Sequence, residues 1–257
     1  MNKYINYPFI KRHRDVILKS IEPSELGIEI GPYDKPWITK PDYNVSYYDR
    51  FTKEHLVRHA NKNRNPENIV ELDYVADNIG HIDGQFDYIF GSHVFEHFPN
   101  PLDFLVTAYV KLKQGGRLFL VIPDSRYTFD LCRPRTGVSD YIDAFLEKRT
   151  KPTPRSIFES VYWGCGPVIH QDLWAKPDLR VQIKPLRNFQ KAFDKASSSV
   201  HSYIDCHVTI TTPELFGRDL RELIESGILQ FSKVSVSDTE YNANDFLCVL
   251  RLSLIHI

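Results

Sequence analysis

The stretch that most constrains this chain runs from Leu26 to Pro36, where a short apolar run meets an abrupt turn. Glu29 is an acid inside the run, Gly31 ends it, and Pro32 prevents the strand from continuing. In open α/β sheets such a run is typical of a buried parallel strand, and ligands bind at its carboxyl end. The stretch therefore predicts a parallel sheet whose first strand opens a nucleoside-cofactor pocket at Glu29 and Gly31.

Composition and charge are those of an ordinary globular protein. The 257 residues are 42% hydrophobic and 25% charged, with a formal net charge of −1, which argues against an extended nucleic-acid-binding surface. Four cysteines stand singly, as free thiols do in a reducing compartment. No apolar run approaches the roughly 20 residues of a membrane span, and the first residues lack the apolar region of a signal peptide. We expect a cytoplasmic protein with no nucleic-acid partner and no membrane span.

Apolar runs alternate with segments of helical spacing along most of the chain. Strands are predicted at about residues 26–30, 45–49, 69–77, 86–92 and 117–122. Helices are predicted for residues 1–25, with a solvated basic face, for 101–113, with a stop at 114–116, and for 212–226. Two last strands, at 231–236 and 246–252, are close enough to form an antiparallel hairpin. This alternation predicts a mostly parallel sheet built from right-handed crossovers.

Residues 125–205 interrupt this alternation and are rich in proline, arginine and aromatic residues. A long insertion after a strand's carboxyl end predicts a lid or substrate-binding region over the site. Aromatic rings stack on sugar faces, and guanidinium groups pair with carboxylates or phosphates. The substrate-binding candidates are Arg126, Tyr127, Arg133 and Trp163. The alternative is an ordinary lid with solvated arginines and its own small aromatic core.

Taken together, these segments resemble the class I S-adenosylmethionine-dependent methyltransferases. The resemblance rests on Gly27–Gly31, Asp49, Asp73–Asp77, Phe86–Ile89, Ser92–His97 and Leu112–Leu118. It extends, through Ile122–Asp130 and Asp205–Pro213, to a bacterial subgroup often associated with glycosyltransferases and surface-polysaccharide synthesis. It implies an α/β fold with a Rossmann-like sheet of seven mostly parallel strands that ends in an antiparallel hairpin. The expected organisation is a single domain over residues 1–257, with the inserted region 125–205 after the fifth strand.

The resemblance implies S-adenosyl-L-methionine as cofactor and S-adenosyl-L-homocysteine as product. Many family members continue the first glycine into two more, whereas Pro32 follows Gly31 here. A pyrophosphate needs those later glycines to approach the backbone, so the departure disfavours a dinucleotide, while S-adenosylmethionine carries no phosphate.

The predicted cofactor-binding residues have distinct roles. Glu29 is expected to face the methionine ammonium, or alternatively to organise the turn, and Asp49 to accept the ribose hydroxyls, or alternatively to cap a helix. Asp77, or else Asp73, is expected to contact the adenine amino group. The remaining candidates, at the ends of the first and fourth strands, are Gly31, Pro32, Ser92 and His93.

Methyl transfer to an alcohol also requires a base, and His93 and His207 are the candidates, although either can be structural. The run from His93 to His97 spells His-x-x-Glu-His, an inverted zinc-protease motif, which needs a helix and a later carboxylate ligand. Pro99 and Pro101 cut the segment short, so we predict no metal site.

The resemblance further implies O-methylation of a sugar or glycan-linked small acceptor, with possible association with glycan-synthesis enzymes. The alternatives are another small-molecule or macromolecular acceptor, and a catalytically silent protein that binds the methyl donor as a scaffold.

Overall fold

Strands and helices alternate through the part of the chain that the computed structural model describes, residues 8–62 and 64–254. The strands are β1 (Gly27–Ile30), β2 (Val45–Asp49), β3 (Tyr74–Val75), β4 (Phe86–Ser92), β5 (Leu112–Pro123), β6 (Lys233–Val236) and β7 (Asp245–Arg251). The α-helices are α1 (Pro8–Leu18), α2 (Lys53–Arg58), α3 (Pro101–Lys111), α4 (Val138–Leu146), α5 (Pro154–Tyr162), α6 (His170–Ala175), α7 (Leu179–Gln182), α8 (Phe189–Ser198) and α9 (Pro213–Glu225). Within these described residues, no helix has both the length and the apolar character that crossing a bilayer requires.

The strands form one sheet in the order β3-β2-β1-β4-β5-β7-β6. β1 to β5 pair in parallel, while β7 lies antiparallel between β5 and the edge strand β6. The expected seven-stranded sheet, mostly parallel with a C-terminal antiparallel hairpin, is confirmed. The carboxyl ends of β1, β2 and β4 therefore lie side by side at one edge.

Strand β1 is buried along its whole length, as a central parallel strand must be. Successive side chains point to opposite faces, so Ile28 and Ile30 pack in the core cluster that includes α3 and α9 residues. The other face is packed by Tyr88 and Phe90 of the neighbouring strand β4. Gly27 is required here, because a Cβ at that position would lie 1.8 Å from the ring of Tyr88.

The helices that cover the sheet follow the capping signals of the sequence. α9 begins at Pro213 with Thr212 as N-cap, whose hydroxyl accepts the amide of Leu215 at 3.4 Å, and Gly227 follows its end with φ of 78°. α3 also begins at a proline, Pro101, which suits the first position of a helix.

The predicted stop of α3 at residues 114–116 is wrong. The helix ends at Lys111, and Leu112 already has the extended dihedrals that start β5. Gly115, with φ of 71°, instead lies in an irregularity of the β4–β5 pairing, where Leu112 opposes Phe86 and Arg117 opposes Tyr88. The glycines therefore absorb extra residues in a strand, as a bulge does, and do not cap a helix.

The predicted third strand is also too long. Only Tyr74 and Val75 pair with β2, because Val70 donates its amide to the carbonyl of Tyr33 in the loop after β1. This segment is therefore divided between the sheet edge and that loop.

The N-terminal helix differs in part from the expectation of a solvated basic face. Arg12 is exposed, but His13 is 4% exposed and its Nε2 lies 3.3 Å from Oδ1 of Asp245. Ile17 packs in the core. Residues 1–7 of the predicted helix, and residues 255–257 of the expected single domain, lie outside the described residues.

Candidate active site

Gly31 lies where β1 ends, and the structure requires a glycine there for two reasons. Its φ is 65°, and a Cβ would come within 2.8 Å of Cγ1 of Val94 in the turn after β4. Its amide donates to the carbonyl of Tyr48 at 2.8 Å, which ties the turn to β2. The backbone at Gly31 thus forms the meeting point of the first, second and fourth strand ends.

The loop that follows Gly31 is held in place by a buried acid. Pro32 is buried, and the Asp34 side chain accepts from Nη1 of Arg64 at 2.9 Å and from the amide of Asn65 at 3.0 Å. Burial alone would raise the pKa of Asp34, but these donors outweigh it and hold the pKa below its ordinary value. These hydrogen bonds therefore hold the loop in place beside the strand ends.

Glu29 lies beneath this loop. Its two carboxylate oxygens accept the amides of Trp37 at 2.8 Å and Ile38 at 3.0 Å, and the residue is 2% exposed. Burial raises the pKa of Glu29 to about 7, against the lowering effect of the two amides. The structure favours the alternative role for Glu29, in which it organises the turn.

One carboxylate lies at the end of β2. Asp49 is the last residue of β2, is partly buried, and accepts the amide of Phe51 at 2.9 Å. Burial raises the pKa of Asp49, and it forms no salt bridge with any described residue. Its carboxylate can therefore accept further hydrogen bonds at the edge of the sheet where the carboxyl ends of the parallel strands meet.

The two candidates for adenine recognition occupy different places. Asp77 lies two residues beyond β3, with an 82% exposed side chain whose Oδ1 is 3.6 Å from Nε of Arg50. Asp73 precedes β3 and accepts from Nζ of Lys40 and the amide of Tyr47, both at 2.7 Å. Because Asp73 is not beyond the strand's carboxyl end and is already paired with Lys40, the structure favours Asp77 as the candidate.

The end of β4 carries the first candidate base. Ser92 pairs with Val121 of β5, and His93 follows it with φ of 53°, an uncommon conformation for a residue with a side chain. Nε2 of His93 lies 3.0 Å from Oδ2 of Asp245, and its side chain is 40% exposed. Burial lowers the pKa of His93, but the hydrogen bond and charge of Asp245 and the charge of Glu96 raise it above its ordinary value.

The second candidate base lies opposite, on the segment that precedes α9. Nδ1 of His207 is 2.5 Å from Oδ2 of Asp130, and its side chain is 12% exposed. The segment is fixed because the amides of Val208 and Thr209 both donate to the carbonyl of Glu96. His93 and His207 thus both face Glu96, from β4 and from the end of the insertion.

A third histidine joins the same cluster. Nδ1 of His97 lies 3.0 Å from Asp205, and its ring meets the His207 ring edge-on at 4.7 Å between centroids. Burial lowers the pKa of His97, but Asp205 and Glu96 together hold it above its ordinary value. Each of the three histidines therefore has its own aspartate partner, and all three surround one glutamate.

Arg133 is not a free substrate-binding group, which corrects that expectation. It is 4% exposed, and its guanidinium donates to Oδ1 of Asp130 at 2.7 Å and to the carbonyl of His207 at 3.0 Å. Its role is to hold Asp130 and the His207 backbone together.

The other substrate-binding candidates contribute to the packing of the insertion. Arg126 pairs with the buried Asp124, although its side chain is 39% exposed. Tyr127 is 4% exposed and stacks on Trp174, with ring centroids 4.2 Å apart. Trp163 meets the ring of Tyr162 edge-on at 5.0 Å. These contacts support the alternative of an insertion with its own aromatic core, although the Arg126 side chain stays partly accessible.

The end of the insertion also reaches the end of β2. The ring of Tyr203 lies 4.3 Å from the guanidinium of Arg50 and 6.4 Å from the ring of Phe51, and its hydroxyl donates to Asp205 at 3.4 Å. Residues 203–207 therefore connect the Asp49 region to the histidine cluster.

Sequence reasoning missed the residues that orient the histidines. Asp130, Asp205 and Asp245 lie far from their partners along the chain, and no local motif joins them to His207, His97 and His93. Asp130 and Asp205 did lie in the segments that carry the extended family resemblance, which was the available signal.

The comparisons with known proteins identify the family of this chain. The family model described as "Methyltransferase domain" matches residues 7–183, more than half of the chain. No curated protein matches.

Solved structures of methyltransferases resemble the chain at low identity. A Thermotoga maritima protein, described as a SAM-dependent methyltransferase and possible histamine N-methyltransferase, is 14% identical with a TM-score of 0.45, over 95% of this chain and 89% of that one. A Methanococcus maripaludis protein, named with the S-adenosyl-L-methionine-dependent methyltransferases, is 13% identical with a TM-score of 0.44, over 98% and 87%. The S-adenosylmethionine-dependent methyltransferase SibL is 15% identical with a TM-score of 0.46, and the chain spans 56% of its length. Structural similarity at these TM-scores does not indicate the substrate or the mechanism of this chain.

Proposed function

This chain belongs to the methyltransferase domain family, and from that premise we propose that it methylates an oxygen of a sugar or glycan-linked small acceptor. The methyl donor is S-adenosyl-L-methionine. When bound, it supplies a methyl group already activated on a sulfonium sulfur, and the product is S-adenosyl-L-homocysteine. The protein's residues must then hold the donor, orient the acceptor and remove a proton from its hydroxyl.

The residues at the strand ends fit this donor. The positive φ of Gly31 leaves bare backbone at the β1 end, where a Cβ would have no room beside Val94. Asp49 offers carboxylate acceptor capacity at the end of β2, as a ribose diol needs, and the exposed Asp77 lies beyond the adjacent strand β3. We therefore assign Gly31, Asp49 and Asp77 to donor binding, with Pro32 and Ser92 as neighbouring contacts.

The observation that carries the choice of an oxygen acceptor is the His93–Asp245 pair just after β4, next to the end of β1 where Gly31 lies. An alcohol needs a general base, and a histidine held by a carboxylate is suited to take a proton. His93 is more exposed than His207, so we assign it as the base and His207 to the acceptor side.

The proposal of a sugar or glycan acceptor is supported by the location of the segments, 122–130 and 205–213, that resemble the subgroup associated with glycosyltransferases. These two segments supply Asp130, Asp205 and His207, all of which line the histidine cluster. Arg126, 39% exposed on the insertion, is the residue we assign to an anionic group of such an acceptor. An association with glycan-synthesis enzymes would follow from this acceptor class.

Calorimetry with S-adenosylhomocysteine tests the donor site. Asp49→Asn should weaken binding by roughly 10- to 100-fold, since hydrogen bonds to a charged group contribute about 1.5–3 kcal/mol. Asp73→Asn is the matched control and should keep the wild-type affinity, because Asp73 pairs with Lys40. Wild-type protein that binds neither donor nor product would contradict the proposal, and equal losses in the two variants would contradict the assignment of Asp49.

Turnover with methyl-labelled donor and a panel of free sugars, nucleotide sugars and amines tests the acceptor. His93→Ala should keep donor binding and lose roughly 10²- to 10⁴-fold in rate. His201→Ala, an exposed histidine in the insertion, serves as control. Methylation of nitrogen alone, or of protein or nucleic acid in place of sugars, would contradict the acceptor class. Donor binding without turnover on any acceptor would favour a scaffold protein.

A further inference from the structure

Glu96 is a buried carboxylate that no described residue satisfies. It is 1% exposed, and neither of its side-chain oxygens has a hydrogen-bond partner there. Oε1 lies 3.9 Å from Nε2 of His97 and 3.9 Å from Nε2 of His207, beyond hydrogen-bond distance. A buried carboxylate without hydrogen bonds is costly, and a bound cation at this position would satisfy it.

The two histidines are oriented as metal ligands are. Asp205 holds Nδ1 of His97 and Asp130 holds Nδ1 of His207, which leaves both Nε2 atoms directed toward Glu96. In metal sites, a ligating histidine commonly donates its other ring N–H to a carboxylate, which fixes both ring and tautomer.

The spacing of the three side chains suits one ion. Their ligand atoms all lie within 4.8 Å of one another. Ligands bound at about 2.0–2.2 Å in tetrahedral geometry are themselves separated by roughly 3.3–3.6 Å. Small rotations of the side chains would therefore close the set around an ion.

We propose that Glu96, His97 and His207 bind one divalent transition-metal ion through a carboxylate oxygen and two Nε2 atoms. Two imidazoles and one carboxylate suit Zn²⁺, Mn²⁺ or Fe²⁺, whereas Mg²⁺ and Ca²⁺ prefer all-oxygen ligands. This revises the sequence-based prediction of no metal site.

The proposed site differs from the inverted zinc-protease motif. The motif's first histidine, His93, lies in a turn after β4, and its Nε2 is held by Asp245. The segment Phe95–His97 is a single 3₁₀ turn, not the α-helix that motif requires. His207, 110 positions after His97, supplies the remaining ligand.

The role of the ion rests on the proposed function. With three protein ligands, an ion keeps open positions that can take one or two neighbouring hydroxyl oxygens of a sugar. Nδ1 of His93 lies 3.8 Å from Oε1 of Glu96, so a hydroxyl held by the ion would lie near the proposed base. The ion would lower the pKa of that hydroxyl.

Metal titration of the chelator-treated full chain tests the site. Zn²⁺ followed by calorimetry, and Co²⁺ followed by visible absorption, should each show one saturable equivalent that excess Mg²⁺ does not displace. Glu96→Gln and His97→Ala should each weaken this binding by on the order of 100-fold, since even an outer-sphere partner contributes about 10- to 100-fold. Asp205→Asn should weaken metal binding by about 10-fold or more. His97→Ala is the variant expected to fold most readily, because the His97 side chain is 34% exposed.

A second histidine pair provides a matched control. His55 on α2 and His59, which caps the end of that helix, stack with ring centroids 4.1 Å apart and could chelate a metal on the surface. His59→Ala should retain the one equivalent and its Co²⁺ spectrum. Absence of a saturable equivalent in the wild type, or its loss in His59→Ala but not in Glu96→Gln, would overturn the proposal.

Two further measurements separate this proposal from the proposed function. Metal-free Glu96→Gln should unfold at no lower temperature than metal-free wild type, because the carboxylate that it replaces has no hydrogen-bond partner among the described residues. Added Zn²⁺ should stabilise only the wild type. S-adenosylhomocysteine binding without metal binding would overturn the metal site alone. Metal binding without S-adenosylhomocysteine binding would overturn the proposed function and leave the site.

Discussion

Glu29 and Gly31 stand two positions apart, yet they act on different parts of the structure. Gly31 shapes the open edge, because its φ of 65° and its closeness to Val94 exclude a side chain. Glu29 points below that edge and holds the loop through the amides of Trp37 and Ile38. The glycine could be predicted from its place after an apolar run. The direction of Glu29 could not, because it depends on a loop that turns back over the strand.

The raised pKa of Glu29 predicts a distinct pH dependence of stability. Its pKa is about 7 in the folded protein against an ordinary 4.5, because burial disfavours the charged form. The folded state therefore holds a proton that the unfolded state has released, and the free energy of unfolding should fall as pH rises from 4.5 through 7. The fall should be about 3 kcal/mol, at 1.36 kcal/mol per pH unit.

Urea unfolding of the wild type and of Glu29→Gln across pH 4.5–8 measures this effect. A uniform loss of stability in the variant is compatible with the prediction, because the amide replaces a carboxylate that accepts two backbone amides. The prediction concerns the difference in the free energy of unfolding between wild type and variant. As pH rises, the wild type should lose stability relative to Glu29→Gln. Parallel profiles would contradict it.

At the level of elements, a buried ion pair joins the start of the insertion to the segment that follows its end. Arg133 pairs with Asp130 near the start of the insertion and donates to the carbonyl of His207 after its end. An arginine in a polar, aromatic-rich insertion suggested substrate binding, but burial decides otherwise. Residue type alone does not distinguish an exposed guanidinium from one that holds two segments together.

Replacement of Arg133 should therefore destabilise the protein. Arg133→Met leaves Asp130 buried with one partner fewer, and breaking a buried pair costs about 3–5 kcal/mol. Arg155→Met is the matched control, because Arg155 is 74% exposed and pairs with Glu159 on α5, so its loss should cost less than about 1 kcal/mol. Chemical denaturation compares the two, and similar losses would refute the structural role of Arg133.

At the scale of the whole molecule, we propose that residues 125–205 act as a lid over the donor site. The support for this is that the segment 203–207, between the insertion and α9, contacts both the β2 end, through Tyr203 and Arg50, and the histidine cluster. A donor placed at Asp49 would therefore lie next to the insertion.

If the insertion covers the donor, Tyr203→Ala should speed S-adenosylhomocysteine dissociation by roughly 5-fold, since such aromatic and cation–π contacts contribute about 1 kcal/mol. Hydrogen exchange of the amides around residues 203–206 should slow when S-adenosylhomocysteine binds. Phe193→Ala, which removes a 54% exposed ring on α8 of the insertion, should change neither quantity. Unchanged exchange at 203–206, with full occupancy of the donor site, would contradict a lid.

The sequence alone determined the sheet, its open edge, and the acids and glycine placed there. Apolar periodicity and strand-helix alternation report burial locally, and the carboxyl ends of parallel strands meet by topology. Only the tertiary structure decided that Asp73 is paired with Lys40, that Arg133 is buried, and that Glu96 is surrounded by histidines. These facts depend on contacts between residues distant in the chain, such as His207 with Asp130 and His93 with Asp245, and no local pattern encodes them.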